Sequence, residues 1–179
     1  MVSKAGSFPL VGRVVHVSTL LGEMLLAADD NALVYASFVD AFPPQLPFVS
    51  DTGRYLGSFF QEVLCQIDNY LRGRQGRFTV PIRPHGSYFS RKVWSTLMKI
   101  RPGSWTTYGE IARELDHPKA ARAVGVACRR NPIAIFIPCH RVLSKTRQLT
   151  GYAGGLHRKA LLLSLEEGGL LLLVGIGTG

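Results

Sequence analysis

Cys139 and His140 stand side by side in Pro138-Cys139-His140-Arg141-Val142. A thiol next to an imidazole is the pair in this chain best suited to nucleophilic chemistry. A thiolate forms near pH 7 only where positive charge or a base is close, and His140, Arg141 and Arg122 are the candidates. Adjacent side chains on extended backbone point to opposite sides, so His140 is expected to reach the sulfur through a bridging water. A catalytic base must itself be oriented by a third group, and Glu166 or Glu167 could supply that carboxylate. A buried cysteine beside a surface histidine would look the same in sequence. Context favours chemistry, because Cys139 ends the apolar run 133–137, follows a proline that fixes the backbone, and lies between a basic segment and the glycine-rich stretch 151–155. A papain-like hydrolase is disfavoured, since that arrangement sets its histidine far from its cysteine in sequence.

The other two of the three cysteines, Cys65 and Cys128, form no C-x-x-C pair with each other or with Cys139. A disulfide framework and a structural zinc site are therefore not expected, and no metal or cofactor is called for. Cys65 reads as ordinary packing inside a helix. The length of 179 residues suits one large or two small domains, and 46% hydrophobic residues can fill a sizeable core. No run approaches the roughly 20 apolar residues of a membrane helix, and the start of the chain lacks a secretory pattern. A soluble cytoplasmic protein is expected, or a nuclear one in a eukaryote. The net charge is +9, and its placement is informative. Residues 1–87 hold 7 of the 21 Lys and Arg against 7 of the 12 acids, so the whole excess falls in residues 88–179. A polyanion such as nucleic acid is the natural partner of that half.

These residues need elements to position them. Residues 11–16 and 32–39 are rich in Val, Leu, Tyr and Phe and read as short strands of a small sheet. Three prolines in 41–47 predict a loop, and the apolar spacing of 59–71 predicts a helix that Gly73 ends. Two prolines and a glycine in 80–86 suggest a linker near 81–87, and Phe89, Val93, Trp94, Leu97 and Ile100 form the stripe of a further helix. Thr107-Tyr108-Gly109-Glu110 is an S/T-x-x-E capping box that opens a helix through Leu115. His117-Pro118 breaks it, with Pro118 placed to begin a second, basic helix over 119–130. Two short helices and a tight turn make a helix-turn-helix pattern, which helical hairpins that touch no DNA share. The β-branched run 133–137 should be buried and extended, and 156–166 resumes helical spacing. The apolar tail 170–179 has no evident role.

Taken together, Pro138-Cys139-His140-Arg141-Val142, Asn131-Pro132, Ala121-Arg122-Ala123-Val124-Gly125, Thr107 to Ala112 and Gly151-Tyr152-Ala153-Gly154-Gly155-Leu156 resemble the O6-alkylguanine-DNA alkyltransferases. The resemblance spans roughly 93–166, and its five motifs occur in the family's order and spacing. It implies an α+β protein: a small N-terminal α/β domain with a short antiparallel sheet over 1–84, then a helical domain over 85–179 with a winged-helix-like helix-turn-helix. It implies repair of O6-alkylguanine in double-stranded DNA, bound through the minor groove by a monomer. The base would be flipped into a pocket and its alkyl group moved irreversibly to the protein, once per chain. Cys139 would be the acceptor, His140 its water-mediated base and Glu166 the group orienting His140. Tyr108 would protonate the departing guanine, Asn131 brace the cysteine loop, and Arg122 fill the gap in the base stack. The Val142 and Cys139 carbonyls would accept from the guanine amino group, while Tyr152, Ala153 and Gly154 would line the pocket.

Two positions depart from the family pattern. Ala153 stands where many relatives have Ser, and Thr150 where some have Gly, which would tighten the pocket. The first alternative is a non-catalytic helix-turn-helix protein, either a regulator or an alkyltransferase-like lesion binder, and such lesion binders lack the acceptor cysteine that is present here as Cys139. A Cys-His hydrolase would leave Arg122 and the basic half unexplained.

Overall fold

The computed structural model describes residues 13–29, 32–41 and 57–168. The predicted loop at 41–47, apart from Ala41, and the tail 170–179 lie outside them. Within them the fold is α+β, with one three-stranded antiparallel sheet and five α-helices. No helix among the described residues is long and apolar enough to cross a membrane.

The sheet runs β1 (Arg13–Thr19), β2 (Gly22–Asp29), β3 (Ala32–Phe38), in that spatial order. The two outer strands match the sequence reading, whereas β2, in the centre, was not singled out. Its sequence, GEMLLAAD, holds no β-branched or aromatic residue. Pairing on both sides overrides that weak propensity. One face of the sheet, with Met24, Leu26, Leu33, Ala36 and Phe38, joins the main core.

Helix α1 (Ser58–Leu71) turns Phe60, Val63, Ile67, Tyr70 and Leu71 inward. It ends as the sequence suggested: Gly73 has φ +70°, its N–H donates to the Tyr70 carbonyl at 3.0 Å, and that of Arg74 to the Asn69 carbonyl at 2.8 Å. This is a Schellman ending, which needs a residue free to adopt positive φ. Cys65 is a correction, because it lies on the exposed side of α1 rather than in the packing.

The expected linker is stitched to the sheet. Leu33 N–H donates to the Pro81 carbonyl and Arg83 N–H to that of Leu33, while Ala36 exchanges the same pair of bonds with Pro132 and Ala134. Two separate segments thus cover the outer edge of β3, and edge strands need such cover. A single core cluster runs through both halves of the chain.

Helix α2 (Tyr88–Lys99) is capped by Ser87 and anchored by Trp94, whose indole N–H donates to the Ala127 carbonyl at 2.9 Å. β4 (Thr106–Thr107) leads into α3 (Tyr108–Glu114), which opens on the predicted capping box: Thr107 accepts from Glu110 N–H, and Glu110 accepts from Thr107 N–H. The second helix, α4, spans Ala121–Arg129, so Pro118 is not its first residue. Ala120 N–H donates to the His117 carbonyl at 2.8 Å, which places Pro118 second in a β-turn, a position its fixed φ also suits. β5 (Val142–Leu143) pairs with β4, and α5 (Leu156–Glu166) closes the described chain.

Candidate active site

The segment 133–137 is buried, as its composition required, but it is not extended. Ile133 makes a β-bridge to Ala36, Ile137 N–H donates to the Ile133 carbonyl at 3.0 Å, and Ile135 has φ +73°. A β-branched residue in that region is strained and stands only where its surroundings impose it. Asn131 supplies much of the constraint. Its Oδ1 accepts from Ile133 N–H at 3.0 Å, and its Nδ2 donates to the Ile137 carbonyl at 2.8 Å and to Cys139 Sγ at 3.2 Å. One side chain thus shapes the turn and holds the thiol that ends it.

Cys139–Arg141 form a single 3-10 turn, which corrects the extended backbone expected there. His140 is fully buried. Its Nε2 lies 3.0 Å from Glu166 Oε1, and the Glu166 side chain is 2% exposed. Of the two carboxylates considered, Glu167 is exposed and takes no part. His140 Nδ1 is buried with no partner among the described residues. Arg141 clamps the same carboxylate through Nε and Nη2 and donates from Nη1 to the Ile100 carbonyl at 2.6 Å.

Burial acts on every group here. It pushes the Cys139 thiol up, against the hydrogen bond from Asn131 and the nearby charge of Lys159. Burial also pushes His140 down, overriding Glu166, so the ring is neutral at pH 7 and free to take a proton. Burial alone would raise Glu166, but the hydrogen bonds from His140, Arg141 and Tyr70 outweigh it and hold the carboxyl at about 2. The resting site therefore pairs a thiol with a neutral base and a permanent carboxylate, the groups a cysteine nucleophile needs.

The source of positive charge differs from the sequence reading. Arg141 is committed to Glu166 and Arg122 is exposed on α4. The cation that acts on the sulfur is Lys159, fully buried, donating to the carbonyls of Val142 at 2.6 Å and Thr150 at 2.7 Å. Lys159 was missed although it stands three residues before Leu162 on the buried stripe of α5. Tyr70 belongs to the apolar spacing that predicts the helix over 59–71, yet its hydroxyl donates to Glu166. A buried tyrosine whose O–H must find a partner was the available signal.

Of the remaining expected residues, Tyr108 and Tyr152 lie close enough to the thiol to feel its charge. Tyr108 is half-buried, with its hydroxyl 3.4 Å from the Thr150 carbonyl, and burial raises its pKa. Val142 is buried on β5, three residues after Cys139. Tyr152 sets its ring edge-on to His140, centroids 6.4 Å apart. Gly154 packs so closely on Phe38 that a Cβ there would lie 2.8 Å from its ring, and Ala153 is half-buried beside it. Arg122 makes no hydrogen bond or ion pair with any of them and belongs to the exposed face of α4 with Ala123, Val126 and Arg129, which the capping residue Arg130 continues.

An α+β fold that buries a thiol on an asparagine, next in the chain to a neutral histidine paired with an ionised glutamate, has the groups that a cysteine nucleophile uses. Comparison with known proteins narrows the class. A family model described as the DNA binding domain of 6-O-methylguanine DNA methyltransferase matches residues 88–168. The chain is 43% identical to the methylated-DNA–protein-cysteine methyltransferase of Methanosarcina acetivorans, over 82% of this chain and 92% of that one. Identity to the protein of the same name from Mycobacterium leprae is 40%, over 82% and 87%. The crystal structure of Mycobacterium tuberculosis OGT in complex with DNA superposes with a TM-score of 0.80 at 35% identity, over 87% of this chain and 93% of that chain. The chain belongs to the methylated-DNA–protein-cysteine methyltransferase family.

Proposed function

We propose that this chain repairs O6-alkylguanine in double-stranded DNA by moving the alkyl group to its own Cys139, once per molecule. The observation that carries this reading is the Cys139 thiol held by Asn131 and backed by a neutral His140 on an ionised Glu166. In this reading α3 and α4 form the DNA-binding helix-turn-helix, with the β4–β5 pair and the loop beyond it as a wing. The division into a supporting 1–84 unit and a DNA-binding, alkyl-accepting 85–179 unit belongs to the same proposal.

Helix α4 enters the minor groove with its exposed, basic face. A base inside the duplex cannot present its O6 substituent to a nucleophile, so it is turned out at a cost of a few kcal/mol. Arg122 fills the space left in the stack. The flipped guanine is lined by Tyr152, Ala153 and Gly154, and its amino group donates to the Val142 and Cys139 carbonyls. The Val142 oxygen already accepts from Lys159, but a carbonyl has two lone pairs and can take both.

The thiol proton passes to His140 Nδ1 through a water. The sulfur then attacks the alkyl carbon, forming the S–C bond as the C–O6 bond breaks. Tyr108 protonates the departing guanine and recovers a proton from the His140 side through solvent. The sum is thiol plus alkylguanine giving thioether plus guanine. An alkyl thioether offers water no polarised carbonyl to attack, so the product is final.

Mixing with excess O6-methylguanine duplex should give one methyl per chain in a single burst. The mass gain should lie on the Cys139 peptide and be absent from those of Cys65 and Cys128, and Cys139→Ser should abolish it. Sustained turnover, or label on another cysteine, would overturn the proposal.

A further inference from the structure

Tyr70 lies on α1, in the half of the chain that the sequence motifs do not reach, and it is 2% exposed. Its hydroxyl donates to Glu166 Oε1 at 2.5 Å and sits 3.3 Å from His140 Nε2. The same Oε1 faces His140 Nε2 at 3.0 Å and accepts from Arg141 Nη2 at 2.6 Å. Its ring is wedged against Phe78, centroids 4.9 Å apart, and Phe78 against Phe136 at 4.2 Å.

The proton positions follow from these distances. An ionised carboxylate only accepts. With its proton committed to Glu166, the Tyr70 oxygen turns a lone pair toward Nε2. Both near neighbours of Nε2 are then acceptors, so Nε2 carries the hydrogen and Nδ1, buried and without a partner among the described residues, keeps its lone pair. Which nitrogen is protonated depends on the bond the other makes. The other charged or titratable groups about the ring are Arg141 and Cys139 on its own turn, Lys159 on α5 and Tyr152.

We propose that Tyr70 is a positioning residue for the transfer reaction: its hydroxyl, bridging Glu166 and His140, fixes the Glu166 oxygen against Nε2 and so holds the imidazole in the Nε2–H form with Nδ1 free as the base. The inference rests on the function proposed above and extends it, because it makes the N-terminal half part of the site rather than a support.

The test is Tyr70→Phe, which keeps the ring between α1 and Phe78 and removes one oxygen, set beside Phe78→Leu, which loosens the same packing and keeps the hydroxyl. Single-turnover methyl transfer from O6-methylguanine duplex should slow about tenfold in Tyr70→Phe, the worth of one hydrogen bond in a buried network. DNA affinity should not change. Nitrogen-15 spectra of His140 should move from the Nε2–H form toward a mixture with Nδ1–H. Phe78→Leu should lower the melting temperature but leave the His140 spectrum unaltered. A Tyr70→Phe protein with the wild-type rate and tautomer would overturn the inference while leaving the proposed function standing. So would a loss of rate shared equally by Phe78→Leu. Absence of methyl transfer from the wild-type chain would instead overturn the function itself.

Discussion

A fully buried ammonium is costly unless its N–H groups are used and its charge is answered. Lys159 meets the first condition with the Val142 and Thr150 carbonyls. Its charge is answered by sulfur, because burial lowers the Lys159 pKa and the Cys139 and Cys128 sulfurs raise it. The resting protein thus holds a cation waiting for a thiolate, and forming the thiolate relieves it. Lys159→Met keeps the length of the side chain and removes the charge. It leaves two carbonyls without their donor, at about 1 to 3 kcal/mol of stability. It also removes an influence that lowers the thiol pKa, so less thiolate forms at any given pH. The alkaline limb of Cys139 alkylation by iodoacetamide should move to higher pH in this variant. A limb that stays in place would mean that the sulfur does not feel the charge.

Among the elements, α3 has only seven residues and carries Tyr108 at its first position. Helices that short are not stable alone; the capping box and the packing against α4 hold this one. Thr107→Ala removes an acceptor for Glu110 N–H and one of the hydrogen bonds that keep the Glu110 carboxyl below its usual range. The expected cost is about 1 kcal/mol, read as a lower urea midpoint, together with slower transfer as Tyr108 shifts. In the proposed complex the exposed Arg122 on α4 is one charge among many, so Arg122→Ala should slow repair of duplex DNA strongly while reaction with free O6-alkylguanine base stays near normal. Equal losses on both substrates would remove Arg122 from the stack. Local signals made these elements legible in the sequence: the capping box, Gly73 after α1, and the apolar stripes of α1 and α2. The misses had non-local causes. β2 is a strand because it has partners on both sides, and the turn at 133–137 exists because Asn131 satisfies its backbone from outside the run. Lys159 and Tyr70 reach the site through contacts that no spacing in the sequence records.

At the scale of the molecule, the two halves are tied at several places. Two segments of the second half or its approach bond along β3. Arg158 on α5 donates to the Leu21 and Gly154 carbonyls and to both Asp40 oxygens, with its guanidinium over the Phe38 ring. The deepest tie is Glu166, which gathers Tyr70 from α1 with His140 and Arg141 from the cysteine turn. This last tie titrates. The Glu166 carboxyl sits at about 2 in the fold against an ordinary value of 4.5. A depressed acid contributes stability that is fully present above its unfolded pKa and is lost as pH falls through its folded one. His140 acts in the same direction, because the fold keeps it neutral and the unfolded chain binds its proton below about 6.5. Stability should therefore begin to erode below about pH 6.5 and fall most steeply between about 4.5 and 2, with Glu166 accounting for on the order of 3 kcal/mol. Glu166→Gln should start lower at pH 7, since Arg141 is left buried without its carboxylate. Its urea midpoint should then decline less between pH 4.5 and 2.5 than that of the wild type. Two parallel curves over that interval would show that the acid lability lies elsewhere, and that Glu166 is not the titrating tie between the halves.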